Sequence, residues 1–169
     1  MLRQWLCSPK RVPSAKFLSV GYVPGRRLRF HKRSTDGSGK CDIPKTSDAS
    51  DTVFGVLFDV PLDQLPALDR AEGAGHGYKP TTIEVLLHDG SSPVTANVYL
   101  ADSSHIDSRL APYTWYRDLV VAGARQHALA PEYIAQIASV EAIVDSDSER
   151  AAPALHALKR FNDNSTGNA

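Results

Sequence analysis

The run Thr52-Val53-Phe54-Gly55-Val56-Leu57-Phe58-Asp59-Val60 constrains this chain more than any other stretch. It is strongly apolar and rich in β-branched and aromatic residues, which reads as a central strand. Two further strands at 78–87 and 94–101 form a hairpin joined through His88-Asp89-Gly90-Ser91. Residues 16–23 read as a strand, and so do 26–33, where Leu28 and Phe30 alternate against Arg27, Arg29 and His31. Residues 34–51 are rich in Ser, Asp, Gly and Lys and read as a long exposed loop. Helical patterns interrupt the strands irregularly. Leucines at 62, 65 and 68 have helical spacing, with Pro66 making that helix short or irregular. Residues 113–130 carry apolar positions at 115, 119, 120 and 124, and Pro131 opens a last helix reaching about residue 142. Residues 2–7 read as one or two helical turns, followed by a basic connector between Pro9 and Pro13. Strands outnumber helices, so the expected fold is α+β: a small mixed, mostly antiparallel β-barrel with flanking helices rather than a doubly wound sheet. The domain is expected over 1–144, with an acidic and polar tail over 145–169 that is partly disordered.

Bulk properties narrow the function. The chain has 169 residues, enough for one domain with a real core. Lysine plus arginine equals aspartate plus glutamate at 19 each, so the formal net charge is zero, which argues against nucleic acid or an anionic membrane as the main partner. The two cysteines, Cys7 and Cys41, lack metal-type spacing, and neither a transmembrane run nor a signal peptide is visible. A reduced, cytoplasmic protein is the default.

Chemistry concentrates at Leu68-Asp69-Arg70-Ala71-Glu72-Gly73 followed by Gly75-His76-Gly77-Tyr78. A helical run ends at a glycine, a single carboxylate sits on its last turn, and a glycine-rich loop leads into a strand. Two readings of Glu72 stand. It is an exposed acid on an ordinary C-terminal turn with Gly73 as the C′ glycine, or it is a lone general base held at the joint of helix, loop and strand.

Several blocks in order resemble the γ-glutamylcyclotransferase family. They are Val53-Phe54-Gly55-Val56-Leu57-Phe58, then Leu68-Asp69-x-x-Glu72-Gly73, then Tyr78 and its strand. Further on come Tyr116-Arg117-Asp118-Leu119-Val120-Val121-x-Gly123-Ala124 and Leu129-Ala130-Pro131-Glu132-Tyr133. The resemblance spans about residues 1–144. It implies a small mixed barrel and an activity that needs neither metal nor cofactor: conversion of a small-molecule γ-glutamyl amide into 5-oxoproline and a free amine. It assigns Glu72 as the catalytic residue, with Gly73, Tyr78 and Tyr116 binding substrate. Gly75 and Gly77 are further candidates to present backbone N–H groups, and Tyr99 and Tyr113 to line the pocket. The family also carries an N-terminal strand ending in a Tyr-Gly-Ser-Asn loop, and this chain starts at the point just past that loop. The expectation is therefore a barrel short of one strand, with open edges that favour self-association, a homodimer being one outcome. A non-catalytic binding module that has lost its substrate loop is the alternative function.

Other signals carry less. The basic run at 26–33, with Leu28 and Phe30 interleaved, reads as a strand with one solvated face rather than a nucleic-acid surface. His76 reads as a loop histidine close to Glu72. Gly37-Ser38-Gly39-Lys40 lacks the strand and helix context of a phosphate loop, and nothing orders Cys7 with a histidine as a nucleophilic pair.

Overall fold

The computed structural model describes residues 2–6 and 14–166. The chain forms two compact units, Met1–Leu110 and Ala111–Ala169.

The first unit is a β-barrel with a short helix. Its strands are β1 (Leu2–Leu6), β2 (Lys16–Pro24), β3 (Arg29–Arg33), β4 (Gly39–Asp42), β5 (Thr52–Val60), β6 (Tyr78–Leu87) and β7 (Val94–Ala101). Five of them close in the order β1-β5-β2-β6-β7, while β3 and β4 form a separate two-stranded ribbon. All pairings are antiparallel except β1 with β7. Two seams are thin among the described residues: β1 meets β7 at Gln4↔Asn97, and β2 meets β6 at Gly21↔Leu87 and Tyr22↔Leu86. The central strand β5 pairs with β2 along nearly all of its length and with β1 over Val56–Val60, and Val53, Leu57 and Val60 are almost completely buried. Along β6 and β7, Ile83, Val85, Val94, Ala96 and Val98 turn inward at every second position, as a pleated strand with one buried face requires.

The barrel therefore has the strand that the sequence reading left empty, and the segment expected to be helical supplies it. Leu2–Leu6 pairs with β5 from Leu2↔Val60 to Leu6↔Val56. So short an apolar segment has no decisive period of its own. The N–H and C=O groups on the free side of β5 decide the matter, because buried backbone must be paired. The connector between Pro9 and Pro13, and Cys7 with it, lies outside the described residues.

The expected loop over 34–51 contains β4. A hydrogen-bonded turn (Ser34 N–H to Ser38 O, 3.0 Å) folds this strand back on β3, and Ser38, Cys41, Asp42 and Ile43 are buried. Polar composition hid it. The polar side chains of the turn satisfy one another: Asp36 accepts hydrogen bonds from Ser38 Oγ at 2.8 Å and Lys40 Nζ at 2.7 Å.

A 3-10 turn at Leu62–Gln64 leads into α1 (Leu65–Glu72). Pro66 lies in the first turn of α1, where a missing N–H costs nothing, so it starts the helix rather than breaking it. Leu68 is fully buried in a cluster with Val56, Phe58 and Val60, and Ala15, Leu65 and Tyr99 pack around them. Full burial of such a leucine stabilises by about 2 kcal/mol.

The second unit holds α2 (Thr114–Gln126), α3 (Pro131–Ala138) and α4 (Ser148–Thr166). Val121, Ala124, Tyr133, Ile137, Ala151 and Ala154 are buried. Where the sequence reading placed a partly disordered tail, residues 148–166 are helical. Asp145 fixes the start of this helix by accepting hydrogen bonds from Trp115 Nε1 (2.9 Å) and Arg150 Nε (2.8 Å). The Arg150 guanidinium holds the Asp145 carboxyl well below the usual carboxylate range. No helix among the described residues is long and apolar enough to cross a membrane.

Candidate active site

The end of α1 builds the site. Gly73 adopts a left-handed conformation (φ 70°, ψ 38°), its N–H donates to Arg70 O, and the Ala74 N–H donates to Asp69 O at 2.8 Å. This 6→1 and 5→2 pair closes the helix at Glu72, with Gly73 as the residue that tolerates positive φ. The chain then turns sharply. Gly75 N–H donates to Tyr78 O at 3.0 Å, and His76 N–H donates to Gly73 O at 2.8 Å. Glu72 is thus fixed at the carbonyl end of a short helix, half-buried, six residues before the strand that Tyr78 opens.

Glu72 shares a face of α1 with Asp69, three residues earlier, since residues at that spacing are neighbours on a helix. Asp69 accepts a hydrogen bond of 2.6 Å from the Tyr99 hydroxyl on β7. Burial raises the Tyr99 phenol above its ordinary value, and the hydrogen bond to Asp69 and the charges of Asp69 and Glu72 raise it further. Tyr99 therefore remains a protonated donor at any physiological pH, and the Glu72 carboxylate acts electrostatically on the same group.

Tyr78 closes the other side of the turn. Its hydroxyl donates to Cys41 O at 2.5 Å, which ties β6 to β4, so its ring is a fixed wall. Lys32 Nζ lies 4.6 Å above that ring. The ribbon is fastened to β7 by Asp42, which accepts from the Ala101 N–H at 3.0 Å and pairs with His31 Nε2 at 2.9 Å.

The site residues expected from sequence divide between the units. Glu72, Gly73 and Tyr78 come together in the first unit, whereas Tyr116 lies on α2 in the second, edge-to-face with Trp115. The N–H groups of Gly73 and Gly75 are already donated within the turn, so these glycines shape the loop and present no N–H to a ligand. His76 is exposed. The solvated-face reading of the basic run is corrected at two positions. Arg26 and Lys32 are buried, as is Phe30, with Arg26 donating to Ile43 O at 2.6 Å. Asp69 and Lys32 were not singled out from sequence. Asp69 had a signal in its spacing to Glu72, and Lys32 had one in sharing the parity of Leu28 and Phe30. No cluster of His, Cys, Asp or Glu suited to a metal occurs among the described residues.

A small closed mixed barrel with a helix-terminal carboxylate acting on a half-buried tyrosine defines a class of fold and site. The chain belongs to the AIG2-like family, whose model matches residues 52–137. Its fold is that of a solved structure named gamma-glutamyl cyclotransferase, at 21% identity and a TM-score of 0.79 over 94% of this chain and 98% of that one. It is also similar to the uncharacterized protein loc79017 from Homo sapiens (23% identity, TM-score 0.75, 88% and 96% covered). A yeast γ-glutamyl cyclotransferase specific to glutathione is a more distant likeness (11% identity, TM-score 0.54, 95% and 96% covered). No curated protein matches the sequence significantly.

Proposed function

We propose that this protein is a cyclotransferase-type enzyme that releases 5-oxoproline and a free amine from a γ-glutamyl amide. The observation that carries the reading is the fixing of Glu72 at the capped end of α1, beside the Asp69–Tyr99 hydrogen bond. Family membership and the names of the structural neighbours support it.

The substrate brings its own nucleophile, the α-amine, and its own electrophile, the γ-carbonyl carbon. Catalysis needs a curled substrate and one proton carrier. Effective molarities of roughly 10⁵ to 10⁸ M are available to well-placed intramolecular reactions. Glu72 takes a proton from the α-ammonium group, and the freed nitrogen bonds to the γ-carbon. Glu72 then delivers that proton to the departing nitrogen as the γ-amide C–N bond breaks, and the ring nitrogen gives its second proton to the released amine, which leaves as an ammonium ion. No external reactant enters. The helix-terminal position holds the carboxylate at the carbonyl end of α1, next to the turn that leads into β6. Tyr78 serves as a rigid wall beside the turn that carries Glu72.

Incubation with γ-glutamylalanine, followed by mass spectrometry, tests the proposal. Equimolar 5-oxoproline and alanine are expected. Glutamate and alanine in place of 5-oxoproline, or no turnover of any γ-glutamyl amide, would refute it.

A further inference from the structure

Lys32 stands out among the cations of the first unit. It keeps only 8% of its exposure, yet among the described residues its ammonium makes no hydrogen bond and no ion pair. The acid that acts on it, Asp36, is already bound by Lys40 at 2.7 Å, and Lys40 itself opposes the Lys32 charge. Its other contact is the face of Tyr78. A long side chain is not left in this state by accident of packing. The stem is covered while the ammonium itself is still reached by solvent, so the charge is held in place and open to a ligand.

The surroundings hold the ammonium in place. The β3–β4 register shifts between Phe30 and Lys32, an irregularity of the kind that re-aims a side chain. Gly77, at φ +104°, lies against the lysine stem. A Cβ there would stand 2.9 Å from Lys32 Cε and 2.7 Å from His105 Cδ2, so only glycine lets the stem and the ring pack on the turn that follows Glu72. Tyr78 is pinned beneath by its hydrogen bond to Cys41 O. A preset cation on an aromatic floor, beside the turn that carries the candidate base, matches a ligand anion better than it matches any protein group nearby.

We propose that Lys32, seated on Tyr78 and against Gly77, is the receiving group for a carboxylate of the bound ligand. The inference rests on the cyclotransferase reading for the identity of that ligand. A γ-glutamyl compound offers two sources: the α-carboxylate of the glutamyl part, and a carboxylate on the leaving amine when that amine is an amino acid or peptide. An ion pair with this held ammonium strengthens affinity by charge-assisted hydrogen bonding and also fixes orientation.

The test uses the full chain with Lys32→Met, and with Lys32→Gln as a second variant of different polarity. Two probes are titrated calorimetrically into a Glu72→Gln background, so that turnover does not intrude. The probes are γ-glutamylalanine and γ-glutamylmethylamide, the second lacking the leaving-group carboxylate. Removal of a charged partner is expected to weaken binding by about tenfold or more. Loss confined largely to γ-glutamylalanine assigns the leaving-group carboxylate, and equal loss on both probes assigns the α-carboxylate. Wild-type affinity of both variants for both probes overturns the proposal, as does failure of the Lys32-containing protein to bind either. This readout is separate from turnover. If the wild type forms no 5-oxoproline but binds a probe through Lys32, the catalytic reading falls and the carboxylate site stands. The melting temperature supplies the control: loss of a cation with no hydrogen bond or ion pair to the protein is expected to leave it nearly level.

Discussion

Leu68→Ala tests how α1 holds its carboxylate. Leu68 is fully buried, with Val56, Phe58 and Val60 around it and Leu65 and Tyr99 at the margin. The substitution removes three carbons, worth roughly 2.4 kcal/mol at about 0.8 kcal/mol per buried carbon group. The cluster relaxes only in part, because its other three members, Val56, Phe58 and Val60, sit on β5, where backbone cannot shift without breaking ladder bonds. A residual void of roughly 50 Å³ adds about 1 kcal/mol at the usual cavity cost, giving about 3–4 kcal/mol in total. Urea unfolding followed by tryptophan fluorescence and circular dichroism measures this, with the slope expected to stay constant while the midpoint falls. Leu62→Ala is the control, since Leu62 is 60% exposed and its loss is expected to cost under about 0.5 kcal/mol. Glu72 lies one turn beyond Leu68, so activity at a temperature where the variant is still folded is expected to fall as well. A cost below about 1 kcal/mol for Leu68→Ala, or equal costs for the two variants, would show that α1 is not anchored through this cluster.

Two further outcomes follow from local geometry. Gly39→Ala puts a Cβ 2.1 Å from the Phe30 carbonyl oxygen, a backbone atom that cannot rotate away, so the β3–β4 ribbon must open. A loss of about 3 kcal/mol or more in urea unfolding is expected, and a wild-type midpoint would contradict the pairing. Burial works against ionisation of Asp36, but hydrogen bonds from Lys40 and Ser38 outweigh it and hold the pKa at about 2. A carboxyl depressed from its ordinary value contributes stability that is complete above about pH 5 and is lost as pH falls through about 4 towards 2. Its side chain is only 15% exposed, so the contribution is of order 2 kcal/mol. Asp36→Asn is expected to flatten the stability profile between pH 5 and 2 relative to the wild type, whereas parallel profiles would remove the role of this ion pair.

What could be read from the sequence was what local chemistry decides. The strand Thr52–Val60 and the hairpin Tyr78–Leu87 with Val94–Ala101 were legible because apolar content, alternation and a turn all agreed there. The Gly73 cap was legible as well, since a helical leucine spacing that ends at glycine has few other solutions. Tertiary context decided the rest. Residues 2–6 become a strand because β5 has an unpaired edge, which no local pattern in Leu2-Arg3-Gln4-Trp5-Leu6 announces. The ribbon strand Gly39–Asp42 was masked by polar residues that pair among themselves rather than with water. At the site, the position of Glu72 was legible, but its neighbours were not. Asp69 matters through a tyrosine 30 residues away, and Lys32 matters because Gly77 lets it pack where a basic strand would ordinarily face solvent.

The measurement that bears most directly on the central claim is 5-oxoproline release by Glu72→Gln beside the wild type, at equal concentration of folded protein. The substitution keeps shape and hydrogen bonding while removing the proton acceptor. Loss of one positioned acid–base group is expected to slow turnover by roughly 10² to 10⁴-fold, with the melting temperature little changed. Turnover by Glu72→Gln within a fewfold of the wild type would contradict the assignment of Glu72 as the proton carrier.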